Sequence, residues 1–380
     1  MSTLLYHFKK LIPRFALRAI RPPYHYLLSF LGALRYGFPS RKITVVGVTG
    51  TKGKSSVVEL VSALFETAGK KTALAGTIRF KIGDQTVPNL HKMTMPGRFF
   101  VQKFLRDAVE AKCDVAVLEM TSEGVVQYRH KWIELDALIF TNLSPEHIEA
   151  HGSLENYVKA KLALADALAC SSKRPRRMIA NTDDPLGEAF LAYGVEEKIP
   201  YSLKDLDLHT LTQDGASIVL EGVTIRTPLM GLFNVYNMLA AIACARAFGV
   251  PLAAIERALG TLSPIPGRVE KFESPRDAHK HITAIVDYAH TPDSLTQLYQ
   301  AFSKEEKICV LGNTGGGRDT WKRPEMGRIA GEYCAHVILT NEDPYDEDPY
   351  AIVNAMANGI VDNAHVSIIM DRREAIREAL

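Results

Sequence analysis

Apolar positions follow two rhythms along this chain. Short β-branched or apolar runs at residues 43–48, 72–75, 114–120, 137–141 and 178–180 predict buried strands. Between them the spacing changes: Val58, Val61, Leu64, Phe65 and Ala68 recur on one helical face, and residues 99–111, 157–169 and 234–248 carry the same period. Strands alternating with helices predict a mostly parallel α/β sheet. Residues 217–220 and 223–227, separated by Glu221-Gly222, read as a hairpin appended to that sheet, and Pro264-Ile265-Pro266-Gly267 marks a boundary. Beyond it, strands at 283–288, 308–312, 336–340 and 366–370 alternate with helices at 294–302, 324–334, 350–362 and 372–380. That pattern predicts a smaller, doubly wound, Rossmann-like domain. The expected organisation is a basic segment at 1–40, a central domain at 41–265 and a C-terminal domain at 266–380.

The first segment follows neither rhythm for long. Leu4, Leu5, Phe8, Leu11 and Ile12 share an apolar face with Lys9, Lys10 and Arg14 among them, while Pro13, Pro22, Pro23 and Pro39 divide the stretch into short pieces. Residues 1–58 contain no Asp or Glu. Charge interrupts the apolar part and no small-residue cleavage site follows, so a signal peptide is not expected. A basic amphipathic piece can rest peripherally on a membrane surface. Helices packed on the next domain are the simpler expectation.

Bulk properties narrow the class only a little. At 380 residues, with 47% hydrophobic and 23% charged positions and a net charge of +2, the chain suits a soluble protein of two or three domains. Nothing in that charge calls for a nucleic-acid partner. Five scattered cysteines without a C-x-x-C pair speak against a zinc ribbon or a disulfide framework and fit a reducing cytosol. No apolar run reaches the ~18 residues of a membrane span.

The chemistry starts where the first strand ends. Gly50-Thr51-Lys52-Gly53-Lys54-Ser55-Ser56 joins that strand to a helix. Glycines there let backbone N–H groups curl around a phosphate, and the helix start adds its own unpaired donors. Lys54 would reach the terminal phosphates, and Ser55 would hold a magnesium ion. The match to G-x-x-x-x-G-K-[ST] is incomplete, since Val48 stands at its first glycine and the nearest glycine is Gly47. Glu119 ends the strand at 114–120, where open α/β sheets bind ligands, and can bind magnesium. His147 and His151 follow the next strand and are open to metal, phosphate or plain packing roles. Lys161 lies on an apolar helix, where a lysine usually snorkels to solvent.

The ordered motifs G-T-K-G-K-S-S, E-M-T-S-E-G, F-T-N-L-S-P-E-H-I-E-A-H-G, Y-V-K-A-K and N-T-D-D-P resemble the ATPase domain of the Mur ligases. G-L-F-N-V-Y-N, P-G-R-V-E, V-D-Y-A-H-T-P-D and G-G-G-R-D-T-W-K-R-P-E-M-G continue the resemblance, which is nearest to the UDP-N-acetylmuramoyl-tripeptide synthetase branch. It implies an ATP- and magnesium-dependent ligase of peptidoglycan precursor synthesis that adds an amino acid to a UDP-muramoyl-peptide through an acyl phosphate. By resemblance, Lys54, Ser55, Glu119 and His147 serve the phosphates and magnesium, with Asn142 at the same strand end. Lys161 matches the lysine that is carbamylated in the family and helps bind a second magnesium. Thr94-Met95-Pro96, Thr121, Ser122 and Arg129 would contact the muramoyl-peptide. Asn234 and Asn237 would approach adenine, and Arg268, Asp287, Tyr288 and His290 would close on the nucleotide from the second domain. Lys322 and Arg323 would lie in a basic loop of that domain.

Departures from the family pattern carry expectations too. Lys52 and Ser55 replace Asn and Thr in G-T-N-G-K-T, and Glu123 replaces a His. Glu342-Asp343-Pro344-Tyr345 stands where the family has D-N-P-R, whose arginine selects meso-diaminopimelate, so lysine or another diamino acid is an equal candidate. About 40 residues precede the first strand, so the separate UDP-binding domain is expected to be absent. The sequence also stops before the family's final strand and G-K-G-H-E motif, so the last domain is expected to be incomplete. Rival readings are a folylpolyglutamate-synthetase-like enzyme, a Mur-like ligase that modifies lipid-linked precursors, and a non-catalytic ATP-binding scaffold at a membrane surface. T-M-P, E-M-T-S-E-G and D-Y-A-H-T-P favour the muramoyl branch.

Overall fold

In a computed structural model, residues 14–91, 93–146, 148–212, 214–274, 282–317, 319–361 and 365–380 are described. The chain divides into two compact units. One runs to Leu143 and takes in Val158–Asp205 and Tyr236–Leu259; the other comprises Ser144–Tyr157, Leu206–Val235 and Gly260–Leu380.

The first unit is built on an eight-stranded sheet of order β4-β3-β2-β5-β1-β6-β7-β8. Its strands are β1 Thr44–Thr49, β2 Thr72–Ala75, β3 Arg79–Ile82, β4 Gln85–Pro88, β5 Val115–Glu119, β6 Ala137–Phe140, β7 Arg177–Asn181 and β8 Glu197–Tyr201. β2, β5, β1, β6, β7 and β8 run parallel, while β3 and β4 add an antiparallel edge. Valines 45, 46 and 48 are all buried, as expected of a central strand covered on both faces. One face packs Val45, Leu118, Leu138 and Phe140 with Leu105 and Leu164. These last two come from α3 (Arg98–Glu110) and α4 (Leu154–Ala169); the earlier helices are α1 (Arg14–Arg35) and α2 (Lys54–Thr67). α5 (Leu232–Ala247) and α6 (Leu252–Gly260) follow, and Phe65 of α2 meets Phe248 edge-on at 5.6 Å between centroids.

The register sets the site. β1 pairs with β5 as Val48↔Glu119 and with β6 as Thr49↔Phe140. The turn after β1, the carboxylate ending β5 and the segment after β6 therefore share one end of the sheet.

The N-terminal stretch departs from expectation, because α1 continues through Pro22 and Pro23 as a 22-residue helix. Two prolines remove two backbone hydrogen bonds. Packing offsets that loss: Ser29 and Ala33 are buried, Phe30 lies 5.1 Å from Trp132 between ring centroids, and Gly32 sits within 3.5 Å of Arg98 O for any added Cβ.

The second unit holds three small sheets. β9 Leu208–Thr212, β10 Gly215–Leu220 and β11 Val223–Thr227 form an antiparallel sheet of their own. The hairpin is thus not appended to the large sheet, and it has a third strand whose exposed residues gave no alternation to read. β12 Glu270–Glu273 pairs antiparallel with β13 Thr283–Val286, so the strand expected at 283–288 does not join the parallel sheet. That sheet is β14 Ile308–Leu311, β15 His336–Leu339 and β16 His365–Ile368. α7 (Pro292–Ala301), α8 (Lys322–Tyr333) and α9 (Pro349–Ala357) pack a core on it with Leu295, Met326, Ile329, Val353 and Met356, and α10 (Arg372–Ala379) follows β16. Gly327 lets α8 approach α9 closely, because a Cβ there would lie 1.9 Å from Met356 O.

Candidate active site

Four residues, Gly50-Thr51-Lys52-Gly53, connect β1 to α2. Gly50 has φ +148°, and a Cβ on it would lie 1.9 Å from Thr141 Oγ1. Gly53, the residue before α2, has φ +78°, and its Cβ would lie 2.2 Å from Asn237 Oδ1. Only glycine fits these two positions. The segment after β6 holds the loop in shape. Thr51 N donates to Asn142 O (2.8 Å), Lys52 N to Asn142 Oδ1 (2.9 Å) and Thr141 Oγ1 to Lys52 O (2.7 Å). Asn181 Nδ2 donates to Thr141 O (2.9 Å), and Leu143 N to Asp184 Oδ2 (2.7 Å). Lys54 Nζ donates to Thr51 O (2.7 Å), which keeps the ammonium over the loop. α2 has no side-chain cap at its start, so its first N–H groups suit an anion.

Glu119 is buried and fully engaged. Ser55 Oγ donates to Oε2 (3.1 Å), Thr77 N donates to Oε2 (2.8 Å) and Thr77 Oγ1 donates to Oε1 (3.1 Å). Thr77 Oγ1 in turn meets Thr94 Oγ1 at 2.7 Å. Lys161 is 2% exposed and donates to Gly50 O at 2.6 Å, so it lies beneath the loop and does not snorkel to solvent. His147 lies outside the described residues. Among the described residues no group of three His, Cys, Asp or Glu side chains is placed to hold a metal. Ser55 and Glu119 nonetheless offer hard oxygens side by side, which fits a magnesium ion that takes its other ligands from water and phosphate.

The Thr94-Met95-Pro96 stretch lies next to this carboxylate. Met95 is buried, and a Cβ at Gly124 would approach its sulfur to 2.5 Å. Thr121 caps the helix Ser122–Val126 by accepting from Gly124 N (3.2 Å), and Ser122 is buried in its first turn. Arg129 donates to Met95 O and to Gln127 Oε1 (2.7 Å). Burial, with the charge of Arg98 added, lowers the pKa of Arg129.

The remaining sequence candidates belong to the second unit, apart from Asn237. Asn234 is buried and donates to Met230 O (2.8 Å). Asp287 accepts from Val269 N (2.8 Å) and Ala289 N (2.7 Å), and burial raises its pKa. The Arg268 guanidinium lies 4.8 Å from the Tyr288 ring centroid, and His290 Nε2 meets Glu146 Oε1 at 3.0 Å. Lys322 and Arg323 are not in a loop: both are buried in the first turn of α8, where Arg323 pairs with Glu347 (2.9 Å). Tyr345 is exposed at φ +54° beside Gly316, and Gly315 N donates to Asp343 O (2.8 Å).

Sequence reasoning missed Thr77, Gln127, Thr141, Asn181 and Asp184. Thr141, Asn181 and Asp184 lay inside quoted motifs, directly after strands. Thr77 carried no local signal, since it matters through Glu119 and Thr94, distant in sequence. Gln127, whose side chain accepts from Arg129 two residues on, lay outside every quoted motif.

Two family models match the chain: Mur ligase middle domain over residues 48–245 and Mur ligase, glutamate ligase domain over residues 267–380. The UDP-N-acetylmuramoyl-L-alanyl-D-glutamate–2,6-diaminopimelate ligase of Syntrophomonas wolfei is 36% identical over 93% of this chain and 73% of that protein. The ligase of the same name from Geobacillus thermodenitrificans is 35% identical over 93% and 74%. A solved structure of a ligase with that name superposes with a TM-score of 0.60 at 30% identity, covering 88% of this chain and 70% of that one. Mycobacterium tuberculosis folylpolyglutamate synthase complexed with ADP shares the fold, with a TM-score of 0.75 at 19% identity over 93% and 86%.

Proposed function

The chain belongs to the Mur ligase family, and from that premise we propose that it joins an amino acid to UDP-N-acetylmuramoyl-L-alanyl-D-glutamate at the expense of ATP, in the cytosol. The observation that carries this reading is the convergence of Lys54, Ser55, Glu119 and Lys161 on one loop, with Thr94 linked to Glu119 through Thr77. The substrate carboxylate attacks the terminal phosphorus of ATP, the bond to the bridging oxygen breaks and ADP leaves. An amine then attacks the acyl carbon, and phosphate departs from the tetrahedral adduct. Loop N–H groups and the Lys54 ammonium face the charge that grows on the transferring phosphoryl group. Ser55 and Glu119 would hold a magnesium ion, which when bound offsets phosphate charge. The buried Lys161 would lose one proton from its ammonium and a second on taking up carbon dioxide as a carbamate, which converts a cation into an anion beneath the loop.

The relatives named above are diaminopimelate ligases, yet position 345 is tyrosine. We assign lysine and meso-diaminopimelate as competing acceptors. Incubation with ATP, magnesium, the UDP-muramoyl-dipeptide and a panel of amino acids, with products identified by mass, tests the whole reading. Absence of any condensed product overturns it.

Membrane contact belongs to the same proposal. Ile20, Tyr24, Leu27, Leu31 and Leu34 are 41–58% exposed and recur at heptad spacing along α1, in a stretch without acidic residues. An apolar stripe within positive charge suits an anionic lipid surface. No described helix is long and apolar enough to cross a membrane. Cosedimentation with anionic vesicles, lost on Leu27→Glu with Leu31→Glu, is the expected result; equal sedimentation of both forms removes this part.

A further inference from the structure

We propose that Arg21 and His25 of α1, together with Arg98 and Arg129, bind the diphosphate of the substrate. The inference rests on the ligase reading above and adds a binding site to it. A line of contacts leads from the phosphate loop to these groups. Ser55 contacts Glu119, Glu119 contacts Thr77, and Thr77 contacts Thr94. The neighbour of Thr94, Met95, accepts from Arg129; Arg129 also binds the Gln127 side chain (2.7 Å), while Arg98 Nε donates to Gln127 O (3.0 Å). Arg98 then donates to His25 Nδ1 on α1. A substrate whose reacting carboxylate sits near Thr94 extends along this line, so its distal part arrives at α1.

Charge at that end is strongly unbalanced. Among the described residues none of the three arginines forms an ion pair, and Arg129 Nε is buried without a hydrogen-bond partner. The charges of Arg98, Arg21 and Arg129, after burial, hold the His25 pKa down, and Glu123 is the carboxylate whose charge offsets Arg129. α3 begins at Arg98 with neither a side-chain cap nor an acid in its first turn, so its dipole adds to the positive potential. These groups are also fixed in place. Ser29 Oγ donates to Tyr128 O (2.5 Å), and Tyr26 packs edge-on against Tyr128 at 5.9 Å. Three guanidiniums and an imidazole exceed what one carboxylate needs, whereas a diphosphate carries two charges and several acceptor oxygens.

Nucleoside-linked and lipid-linked muramoyl-peptides both carry a diphosphate, and separate arms distinguish them. The test compares the full chain with the double variant Arg21→Gln/His25→Gln and with Arg98→Lys. Calorimetric titrations use UDP-muramoyl-dipeptide, the same peptide without UDP, a polyprenyl-diphosphate-linked form in detergent, and inorganic pyrophosphate. The double variant is expected to bind the UDP-linked form and pyrophosphate about 10-fold more weakly, with the UDP-free peptide unaffected. Its KM for the UDP-peptide should rise while its KM for ATP stays constant. Preferential loss of the polyprenyl-linked form supports the same site with a lipid carrier as its ligand. Equal affinity of wild type and double variant for every diphosphate overturns the proposal. Wild-type binding without any ligation would instead overturn the ligase reading and leave the site standing.

Discussion

The Ser55 hydroxyl donates to Glu119 Oε2 across 3.1 Å, tying the first turn of α2 to the carboxyl end of β5. The two oxygens are adjacent because β1 and β5 pair in a register that sets Val48 opposite Glu119. Glu119→Gln keeps an acceptor for Ser55 and Thr77 but removes the charge. Its kcat should fall by about 100-fold or more, with a rise in the magnesium concentration needed for half-maximal rate. Steady-state rates over a magnesium series check this, and an unshifted magnesium requirement would count against Glu119 as a ligand.

Lys54 has a different kind of role, since the contact made by its ammonium is with Thr51 O in its own loop. Lys54→Met should lose ATP turnover by about 100-fold or more while its thermal midpoint stays near that of the wild type. A folded variant with full turnover would remove the phosphate-loop reading.

Lys161→Ala should be inactive, and a short carboxylate such as acetate should restore part of the activity by replacing the missing anion. Isotope-labelled bicarbonate should give a carbamate signal in the wild type that the variant lacks. Wild-type rates in the variant would leave Lys161 as a buried structural lysine bound to Gly50 O.

Acceptor choice turns on position 345. Wild-type kcat/KM for lysine should equal or exceed that for meso-diaminopimelate. Tyr345→Arg, at an exposed position on the loop against Gly316, should favour the diacid by about 1.5–3 kcal/mol through a charge-assisted contact. Competition between the two amino acids in one reaction, read by mass, measures the ratio directly.

His130 predicts a pH effect on stability. Burial, with the charge of Lys131 added, pushes its pKa down from 6.5 to about 3, and neither ring nitrogen has a hydrogen-bond partner. Below 6.5 the unfolded chain binds a proton that the folded chain does not, so stability falls as pH drops from 6.5 toward 3. The expected slope from this group is at most ~1.4 kcal/mol per pH unit. Urea unfolding of wild type and His130→Leu between neutral and mildly acidic pH should show a shallower dependence in the variant. Parallel curves would exclude His130 as a source.

The sequence by itself determined the parts whose causes are local. A β-branched strand, a turn with glycines at 50 and 53, and helical spacing after Ser56 specify a strand, an anion-ready loop and a helix through backbone sterics and periodicity alone. The carboxylate ending the run at 114–120 was visible from its place at a strand end, whereas Lys161 stood out only through the family resemblance, its local pattern reading as a lysine that snorkels to solvent. Only the tertiary structure decided the rest. Gly50 must be glycine because Thr141, just past the end of β6, occupies the space, and Glu119 is held by Thr77, which no pattern marked. α1 persists through two prolines because its buried face packs on α3 and Trp132. β13 pairs antiparallel with β12, although its sequence reads like any strand of the parallel sheet. Register, strand partner and packed face are set by contacts between residues far apart in the chain, and the free energy of those contacts outweighs local preference.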